Sequence, residues 1–211
     1  MSWNLELQQK ALDILRDSYA GVRTELRAAD AFQLLVAVVL SAQTTDRQVN
    51  SVTAELFRQV SSPQELAALS QEELENLIKG VGLFRSKAKH LREMARLLVE
   101  RHQGLVPQSL AELEALPGVG HKTASVVVAE AFDIPALAVD THVFRVANRL
   151  GLATASTVTL VEQQLKELIP EEEWTQAHHW LIHHGRNHCR ARNPICPECP
   201  AAACCRANLQ A

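Results

Sequence analysis

The sequence has no long apolar run and no excess of basic charge. None of its apolar runs reaches the roughly 18 residues that a membrane-spanning helix needs, so we expect no membrane association. The start of the chain, MSWNLELQQKALDIL, lacks the basic and then apolar pattern of a secretory signal, which predicts a cytoplasmic protein. The formal net charge is -3, so any nucleic acid would have to be bound by local basic patches.

Cysteine is absent until the last part of the chain, and all five cysteines lie between Cys189 and Cys205. In a cytoplasmic protein, clustered cysteines more often ligate a metal than form disulfides. Cys189, Cys196, Cys199 and Cys205 follow the spacing C-x6-C-x2-C-x5-C. Four thiolates so close suit zinc or an iron–sulfur cluster, but zinc sites usually have two C-x2-C pairs and this chain has one. Cys204 has no assigned role and is a spare thiol by default.

Helical periodicity runs through most of the sequence. Apolar residues recur on single helical faces, for example at Val143, Val146, Ala147 and Leu150. Ser70 with Glu73, and Ser109 with Glu112, form capping-box pairs that predict helix starts. The stretch AFQLLVAVVLSAQ is apolar nearly all round, which predicts a central buried helix. The spacing of ASVVVAEAF favours a helix over a strand. We find no convincing strand pair, and therefore predict an all-α fold of about ten helices.

The sequence contains a short internal repeat. LIKGVGLFRSKA (residues 77–88) resembles ALPGVGHKTA (residues 115–124), and both contain a Gly-Val-Gly turn. Glycines allow the backbone a positive φ and a close approach to a partner. The first N–H groups of the next helix are unpaired and electropositive, and a phosphate fits there. A plain connection between helices is the simpler interpretation of such a turn. The second copy has additional signals of function, because Pro117 precedes the turn and Lys122 lies just after it.

Lys122 is a candidate nucleophile. Most helical lysines are surface charges, but the positive end of a helix favours the neutral amine, which can form a Schiff base with a sugar carbon. Such chemistry also needs a carboxylate, to stabilise a developing sugar cation and to handle protons. Asp140, in AVDTHVFRV, is the candidate at a predicted helix N-cap. Capping alone is a sufficient role for it, and spacing does not place it beside Lys122.

The combination of LPGVGHKTA, VDTHVFRVANRLG, HHWLIHHGR and the spaced cysteines resembles the endonuclease III family, a bacterial branch of the helix-hairpin-helix DNA glycosylases. The similarity runs from about residue 25 to the last cysteine. It implies two all-α domains with a DNA cleft between them. The first is a helical barrel of residues 24–134, with the helix-hairpin-helix at about 109–132. The second, of residues 1–23 and 135–211, is expected to hold a [4Fe–4S] cluster through Cys189, Cys196, Cys199 and Cys205.

The resemblance also implies an activity in base excision repair. The expected enzyme is a bifunctional DNA glycosylase/AP lyase that removes oxidised pyrimidines and cleaves the abasic site by β-elimination. By position in the motifs, Lys122 matches the family's nucleophile and Asp140 its essential carboxylate. The implied partner is damaged double-stranded DNA, bound by a monomer in the cytoplasm.

Several residues are expected to contact DNA by the same resemblance. The N–H groups of Gly118 and Gly120 are expected to hold a phosphate of the damaged strand without reading its sequence. Gln43 and Leu83 match the residues that fill and wedge the duplex after the damaged nucleotide has left the stack. Without the resemblance, Leu83 is interpreted as a core residue and Gln43 as a surface residue at a helix end.

Further residues are predicted to contact DNA or to support the cleft. Arg190 and Arg192, in the loop RARNPI, are expected to contact backbone phosphates, and the alternative is a loop that only spans the cluster. His142 and Arg145 are expected to support the cleft. His121 stands where the family often has arginine, so one phosphate contact is expected to be weaker or pH-dependent. The histidines of HHWLIHHGR lack a carboxylate partner, which favours packing and DNA contacts over a metal site.

Two other functions stay open on the sequence alone. One is a non-catalytic DNA-binding or damage-sensing module whose cluster serves structure or redox signalling. The other is a monofunctional mismatch glycosylase, which only removes a base and has no need of Lys122. The presence of both Lys122 and Asp140 argues against each of them.

Overall fold

The computed structural model describes residues 4–210, and in that range it contains twelve α-helices, three short 3-10 helices and no β-strand. The predicted all-α class is therefore confirmed. The α-helices, in chain order, are α1 (Leu5–Ser18), α2 (Ala31–Ser41), α3 (Asp46–Gln59), α4 (Pro63–Ala68), α5 (Gln71–Ile78), α6 (Phe84–His102), α7 (Leu110–Glu114), α8 (His121–Phe132), α9 (Thr141–Leu150), α10 (Val158–Leu168), α11 (Trp174–Asn187) and α12 (Arg206–Leu209). The 3-10 helices are Glu171–Glu173, Cys196–Glu198 and Ala202–Cys204. Within the described range, the helices are all too short or too polar to cross a membrane.

The chain divides into two compact units. One, which we call the terminal unit, comprises Met1–Thr24 and Pro135–Ala211, and the other, the middle unit, comprises Glu25–Ile134. Helices α1 and α9 to α12 belong to the terminal unit, and helices α2 to α8 belong to the middle unit.

Helix α2 forms the centre of the middle unit. Its sequence is apolar nearly all round, and Phe32 and every residue from Leu34 to Leu40 are buried. It packs against α3, α6 and α8, so each side of the helix is covered by a neighbour. The prediction of a central buried helix is confirmed. The stretch ASVVVAEAF is likewise helical, and it forms most of α8.

A capping box explains where α5 begins, and a second predicted box is wrong. Ser70 and Glu73 form a capping box at the start of α5, because Glu73 N–H donates to Ser70 Oγ (3.2 Å) and Ser70 N–H donates to Glu73 Oε2 (2.8 Å). The predicted box at Ser109 is wrong, since no described side chain caps α7. Helix α7 is a short turn held by the fully buried Leu113.

The terminal unit joins the two ends of the chain in one core. Residues of α1, including Leu12 and Leu15, pack with the apolar faces of α9, α10 and α11. The face predicted for α9 is buried as a whole, at Val143, Val146, Ala147 and Leu150. Arg16 reinforces the contact of the first helix, donating from Nε and Nη2 to the two carboxylate oxygens of Glu173 at 3.1 and 2.8 Å. The cysteine-bearing tail is therefore built on a helical core.

Candidate functional site

The second Gly-Val-Gly turn (residues 118–120) connects α7 to α8. Gly118 has φ +80°, and a β-carbon there would lie 3.0 Å from His90 Cβ, so both the conformation and the packing require glycine. Gly120 is the N-cap of α8 and is extended, and a β-carbon there would meet nothing of the described chain within 4 Å. No side chain of residues 4–210 caps α8. The first N–H groups of this helix thus begin at an open surface.

Lys122 is exposed in the first turn of α8, next to that open end. The preceding residue, His121, has Nδ1 2.6 Å from Glu114 Oε1. A carboxylate therefore lies beside the position where the family often has an arginine. The turn combines an amine, a helix N-terminus and two glycines in one short segment.

The first Gly-Val-Gly turn (residues 80–82) presents a side chain instead. Leu83, the N-cap of α6, has φ +55° and is 63% exposed, so the alternative interpretation of Leu83 as a core residue is wrong. Gln43 is exposed after the end of α2 and also has φ +55°. The two segments are adjacent, since Gly82 N–H donates to Thr44 Oγ1 (3.3 Å). A β-carbon on Gly82 would lie 3.4 Å from the carbonyl oxygen of Gln43.

Asp140 is the N-cap of α9, as the sequence predicts. Its Oδ1 accepts hydrogen bonds from the N–H groups of His142 and Val143, both at 2.8 Å. Its Oδ2 accepts none from the part of the chain that the structure describes. One oxygen of the half-buried carboxylate is therefore used for capping, and the other is open to further chemistry. Asp140 lies in the terminal unit and Lys122 in the middle unit.

Arg145 is bonded mainly to its own unit. Its guanidinium donates to the carbonyl oxygens of Cys189 (2.9 Å), Gly185 (3.0 Å) and Thr141 (3.2 Å). His142 Nδ1 lies 3.1 Å from Arg145 Nη2. These bonds fix α9 against the segment that leads to the first spaced cysteine, while contact of Arg145 or His142 with DNA stays a prediction.

The four spaced cysteines line one cavity of about 310 Å³, together with His184 and Arg149. Burial raises the pKa of the Cys199 thiol, and the other three spaced thiols raise it further. Among residues 4–210, no three metal-ligating side chains converge closely enough for a single ion. The thiols surround a volume that suits a group of several atoms, as an iron–sulfur cluster is. Four thiols are the donor set that an iron–sulfur cluster takes.

Cys204 is separate from this cavity. It is fully buried in the apolar core of the terminal unit, and its Sγ donates to the carbonyl oxygen of Ala201 at 3.4 Å. No disulfide forms among the five cysteines, all of which lie in the described range. Absence from the cavity lining distinguishes this cysteine from the four others.

Arg149 is a residue of the site that the sequence analysis missed. It donates to the carbonyl oxygens of Arg190 (2.7 Å) and Ala191 (3.2 Å), and its Nη1 is 3.7 Å from Cys189 Sγ. It thereby holds the loop that carries the exposed side chains of Arg190 and Arg192. Its position four residues after Arg145, on the same helix face, is the only sequence signal for this role.

The histidines of α11 serve packing. His178, His179 and His184 are buried, and His178 Nδ1 lies 2.7 Å from Ala138 O. His184 lies between Tyr19 and Cys199, with Nδ1 3.3 Å from the tyrosine hydroxyl and Nε2 3.6 Å from the thiol sulfur. Burial lowers the pKa of His184 to about 4, so the ring is neutral at pH 7. The prediction of packing over a histidine metal site is supported by this burial.

A family model, related proteins and solved structures all match this chain over most of its length. A family model described as "HhH-GPD superfamily base excision DNA repair protein" matches residues 36–171. The chain is 45% identical over 204 residues to endonuclease III of Bacillus subtilis (strain 168), covering 96% of this chain and 93% of that protein. It is 46% identical over 193 residues to endonuclease III of Escherichia coli (strain K12), covering 90% of this chain and 92% of that protein. A trapped endonuclease III–DNA covalent intermediate matches with TM-score 0.94, 43% identity and 98% coverage of both chains.

Proposed function

The chain belongs to the endonuclease III family of the HhH-GPD superfamily of base excision DNA repair proteins, and on that premise we propose how its own residues act. It is a DNA glycosylase and AP lyase of base excision repair. We propose oxidised pyrimidines in damaged double-stranded DNA as its substrates, and a monomer in the cytoplasm as its working form.

The second Gly-Val-Gly turn is the proposed grip on the damaged strand. Gly118 and Gly120 leave the start of α8 free of a capping side chain from the described chain, so its N–H groups can bind a phosphate. Such backbone contacts carry no sequence information, as a repair enzyme requires. With a net charge of -3, further affinity is expected from local charges such as Arg190 and Arg192.

Gln43 and Leu83 are the proposed occupants of the duplex once the damaged nucleotide has left the stack. Extrusion costs a few kcal/mol and is easiest for a damaged pair. Leu83 is a large apolar side chain that is mostly exposed, and Gln43 is a polar one on the adjacent turn. Each has a left-handed backbone, which costs a non-glycine residue on the order of 1–3 kcal/mol and persists only where its surroundings hold it.

Lys122 is the proposed nucleophile. Its Nζ attacks C1′ of the extruded nucleotide, a C–N bond forms, and the base leaves as the glycosidic bond breaks. Opening of the sugar ring gives the Schiff base. Loss of a proton from C2′ then breaks the C3′–O bond and cleaves the strand. The observation that carries this assignment is the exposed Lys122 in the first turn of the uncapped helix α8.

Asp140 is the proposed carboxylate partner of that reaction. A negative charge stabilises the developing cation at C1′, and a carboxylate can accept the proton that the attacking amine releases. Capping of α9 uses Oδ1 and fixes the orientation of the group, while Oδ2 accepts no bond from the described residues. Both roles can therefore be filled at once.

Cys189, Cys196, Cys199 and Cys205 are the proposed ligands of a [4Fe–4S] cluster. They line one cavity, and the remaining cysteine is buried elsewhere in the core. A bound cluster would supply four metal–thiolate bonds that fix the tail. Arg149 and Arg145 hold the backbone on either side of Cys189 by bonds to carbonyl oxygens.

Turnover on a panel of duplexes with different oxidised pyrimidines tests this function, with Lys122→Gln measured beside the wild type. The wild type is expected to release the base and cleave the strand. Lys122→Gln keeps the length and polarity of the side chain and should bind damaged DNA without cleaving it. Base release by the wild type without strand cleavage would instead favour a monofunctional glycosylase.

A further inference from the structure

Lys87, on α6, is a buried lysine that the proposed chemistry does not use. It is only 5% exposed, and burial lowers its pKa. It forms no ion pair with any carboxylate in residues 4–210. Burying a charge without a counter-ion is unfavourable unless hydrogen bonds compensate for the lost water. The contacts that compensate here indicate what the residue does.

All the side-chain bonds of Lys87 go to one short segment. Its Nζ donates to the carbonyl oxygens of Leu40 (2.8 Å) and Ala42 (2.6 Å), and it lies 3.2 Å from Thr44 Oγ1. These oxygens lie at the C-terminus of α2, where carbonyl groups lack partners within the helix and the dipole favours a cation. Lys87 therefore caps α2 from a neighbouring helix.

The segment that Lys87 caps contains Gln43, one of the two proposed duplex-filling residues. Thr44 Oγ1 contacts Lys87 and also accepts a hydrogen bond from Gly82 N–H, so the two turns share this hydroxyl. The backbone N–H of Lys87 donates to the carbonyl oxygen of Leu83 at 3.0 Å. That backbone bond belongs to the first turn of α6, so the side chain of Lys87 holds the turn of Gln43 directly and reaches the turn of Leu83 through Thr44.

The backbone conformation explains why such a clamp is needed. Gln43 and Leu83 both have φ +55°, a region that residues with a side chain rarely adopt. Such conformations persist where neighbouring contacts over-determine them. Lys87 and Thr44 supply the hydrogen bonds that connect the two turns.

We propose that Lys87 is a positioning residue that holds Gln43 and Leu83 side by side for insertion into damaged duplex. The inference rests on the proposed function of that pair. Because Lys87 is buried, it acts only through the two turns. Loss of the ammonium should therefore harm damage-specific binding and leave binding to undamaged duplex unchanged.

The experiment compares Lys87→Met with Lys89→Met, the same change at an exposed position of the same helix. The first measurement is amide hydrogen exchange without DNA. Lys87→Met should speed exchange at Gly82 and Thr44, and Lys89→Met should not. Equal exchange in the two variants would overturn the structural half of the proposal.

The second measurement is affinity for a duplex with a stable abasic analogue, in a double-mutant cycle with Leu83→Ala. Lys87→Met should weaken this binding about tenfold, the scale of a lost hydrogen bond from a charged group. The effect should be clearly smaller in the Leu83→Ala background, because only Gln43 is then left for Lys87 to position. A full effect of Lys87→Met in that background would overturn the proposal.

Two further measurements distinguish failure of the clamp from failure of the proposed role of Gln43 and Leu83. If Leu83→Ala and Gln43→Ala both bind the abasic duplex normally, the proposed role of the pair fails, whereas hydrogen exchange still reports on the clamp. If Lys87→Met does not fold, Thr44→Val removes the shared hydroxyl and leaves the lysine. Thr44→Val should then show a smaller loss in the same direction, and unchanged exchange at Gly82 in this variant would contradict the clamp.

Discussion

The two Gly-Val-Gly turns of the middle unit share a sequence and differ in what they present. The first is followed by Leu83, whose left-handed backbone leaves a large apolar side chain exposed. The second ends in Gly120, which has no side chain and opens the start of α8. Neither of the helices that follow, α6 and α8, has a side-chain cap from the described residues. One turn is suited to inserting a side chain and the other to binding an anion through the backbone.

The glycines themselves are needed for different reasons in the two turns. A β-carbon on Gly80 would lie 2.8 Å from Gln48 Nε2 and 2.9 Å from Val52 Cγ2, so the first turn needs glycine for packing against α3. Gly118 needs it mainly for its positive φ. The comparison teaches that the turn motif fixes a chain reversal, while the N-cap residue of the next helix, Leu83 or Gly120, decides what the turn presents.

The largest effect is expected from Asp140→Asn, which tests whether the second turn works with a carboxylate. The change keeps the capping oxygen but removes the negative charge, so base release should fall about 10²–10³-fold. Cleavage of a preformed abasic site needs no base departure and should suffer less. The rate of base release from an oxidised pyrimidine is measured on this variant, together with the rate of cleavage of an abasic duplex. Equal losses in both assays would contradict the assigned role.

Loss of a spaced cysteine should damage the terminal unit, which contains neither turn. The native protein should be brown, with iron and sulfide at about four each per chain. Serine at Cys189, Cys196, Cys199 or Cys205 should cost the cluster and the fold of the tail, whereas Cys204→Ser should be tolerated. Iron analysis and visible absorption measure this. Stoichiometric zinc in the native protein, or loss of iron in Cys204→Ser, would show that the ligand assignment is wrong.

A direct comparison of the two turns uses one alanine in each. Leu83→Ala removes an exposed side chain and should weaken binding only to damaged duplex, by about tenfold. Gly120→Ala adds a methyl group at an open, extended position, so folding should be kept while damaged and undamaged DNA bind equally less well. Affinities for matched duplexes with and without an abasic analogue distinguish the two patterns. The same pattern from both variants would mean that the turns share one function.

The smallest of these effects is expected from the loop held by Arg149. Replacing Arg190 or Arg192 by Glu should lower affinity for damaged and undamaged duplex about equally, and wild-type binding should weaken steeply with salt. Salt titrations of binding for both duplexes measure this. A loss confined to damaged DNA would mean that these arginines read the lesion.

Much of the fold follows from local patterns in the sequence. The periodicity of α2, α8 and α9 and the capping box at Ser70 depend on residues a few positions apart, and these predictions are confirmed. The failures depend on contacts that local patterns do not record. Without the family resemblance Leu83 is interpreted as core because it is apolar, whereas in the structure it has a positive φ and is mostly exposed.

The same distinction holds at the candidate site. The spacing of the cysteines marks four possible ligands, and Cys204 is separated from them because it does not line their cavity. Lys87 gives no signal of its role, because its partners lie more than forty residues earlier in the chain. Arg149 is similarly distant from the loop that it holds. Bonds between remote carbonyl oxygens and a side chain leave no spacing that a single sequence can reveal.

The most direct test of the account is borohydride trapping of an enzyme–DNA adduct on a duplex with an oxidised pyrimidine. Borohydride reduces a Schiff base to a stable amine, so the wild type should give a covalent adduct. Lys122→Gln lacks the amine and should give none, although it should still bind the same duplex. Leu83→Ala, at the first turn, should still give the adduct in reduced yield. An adduct formed by Lys122→Gln would show that another amine is the nucleophile and would contradict the assignment of the second turn.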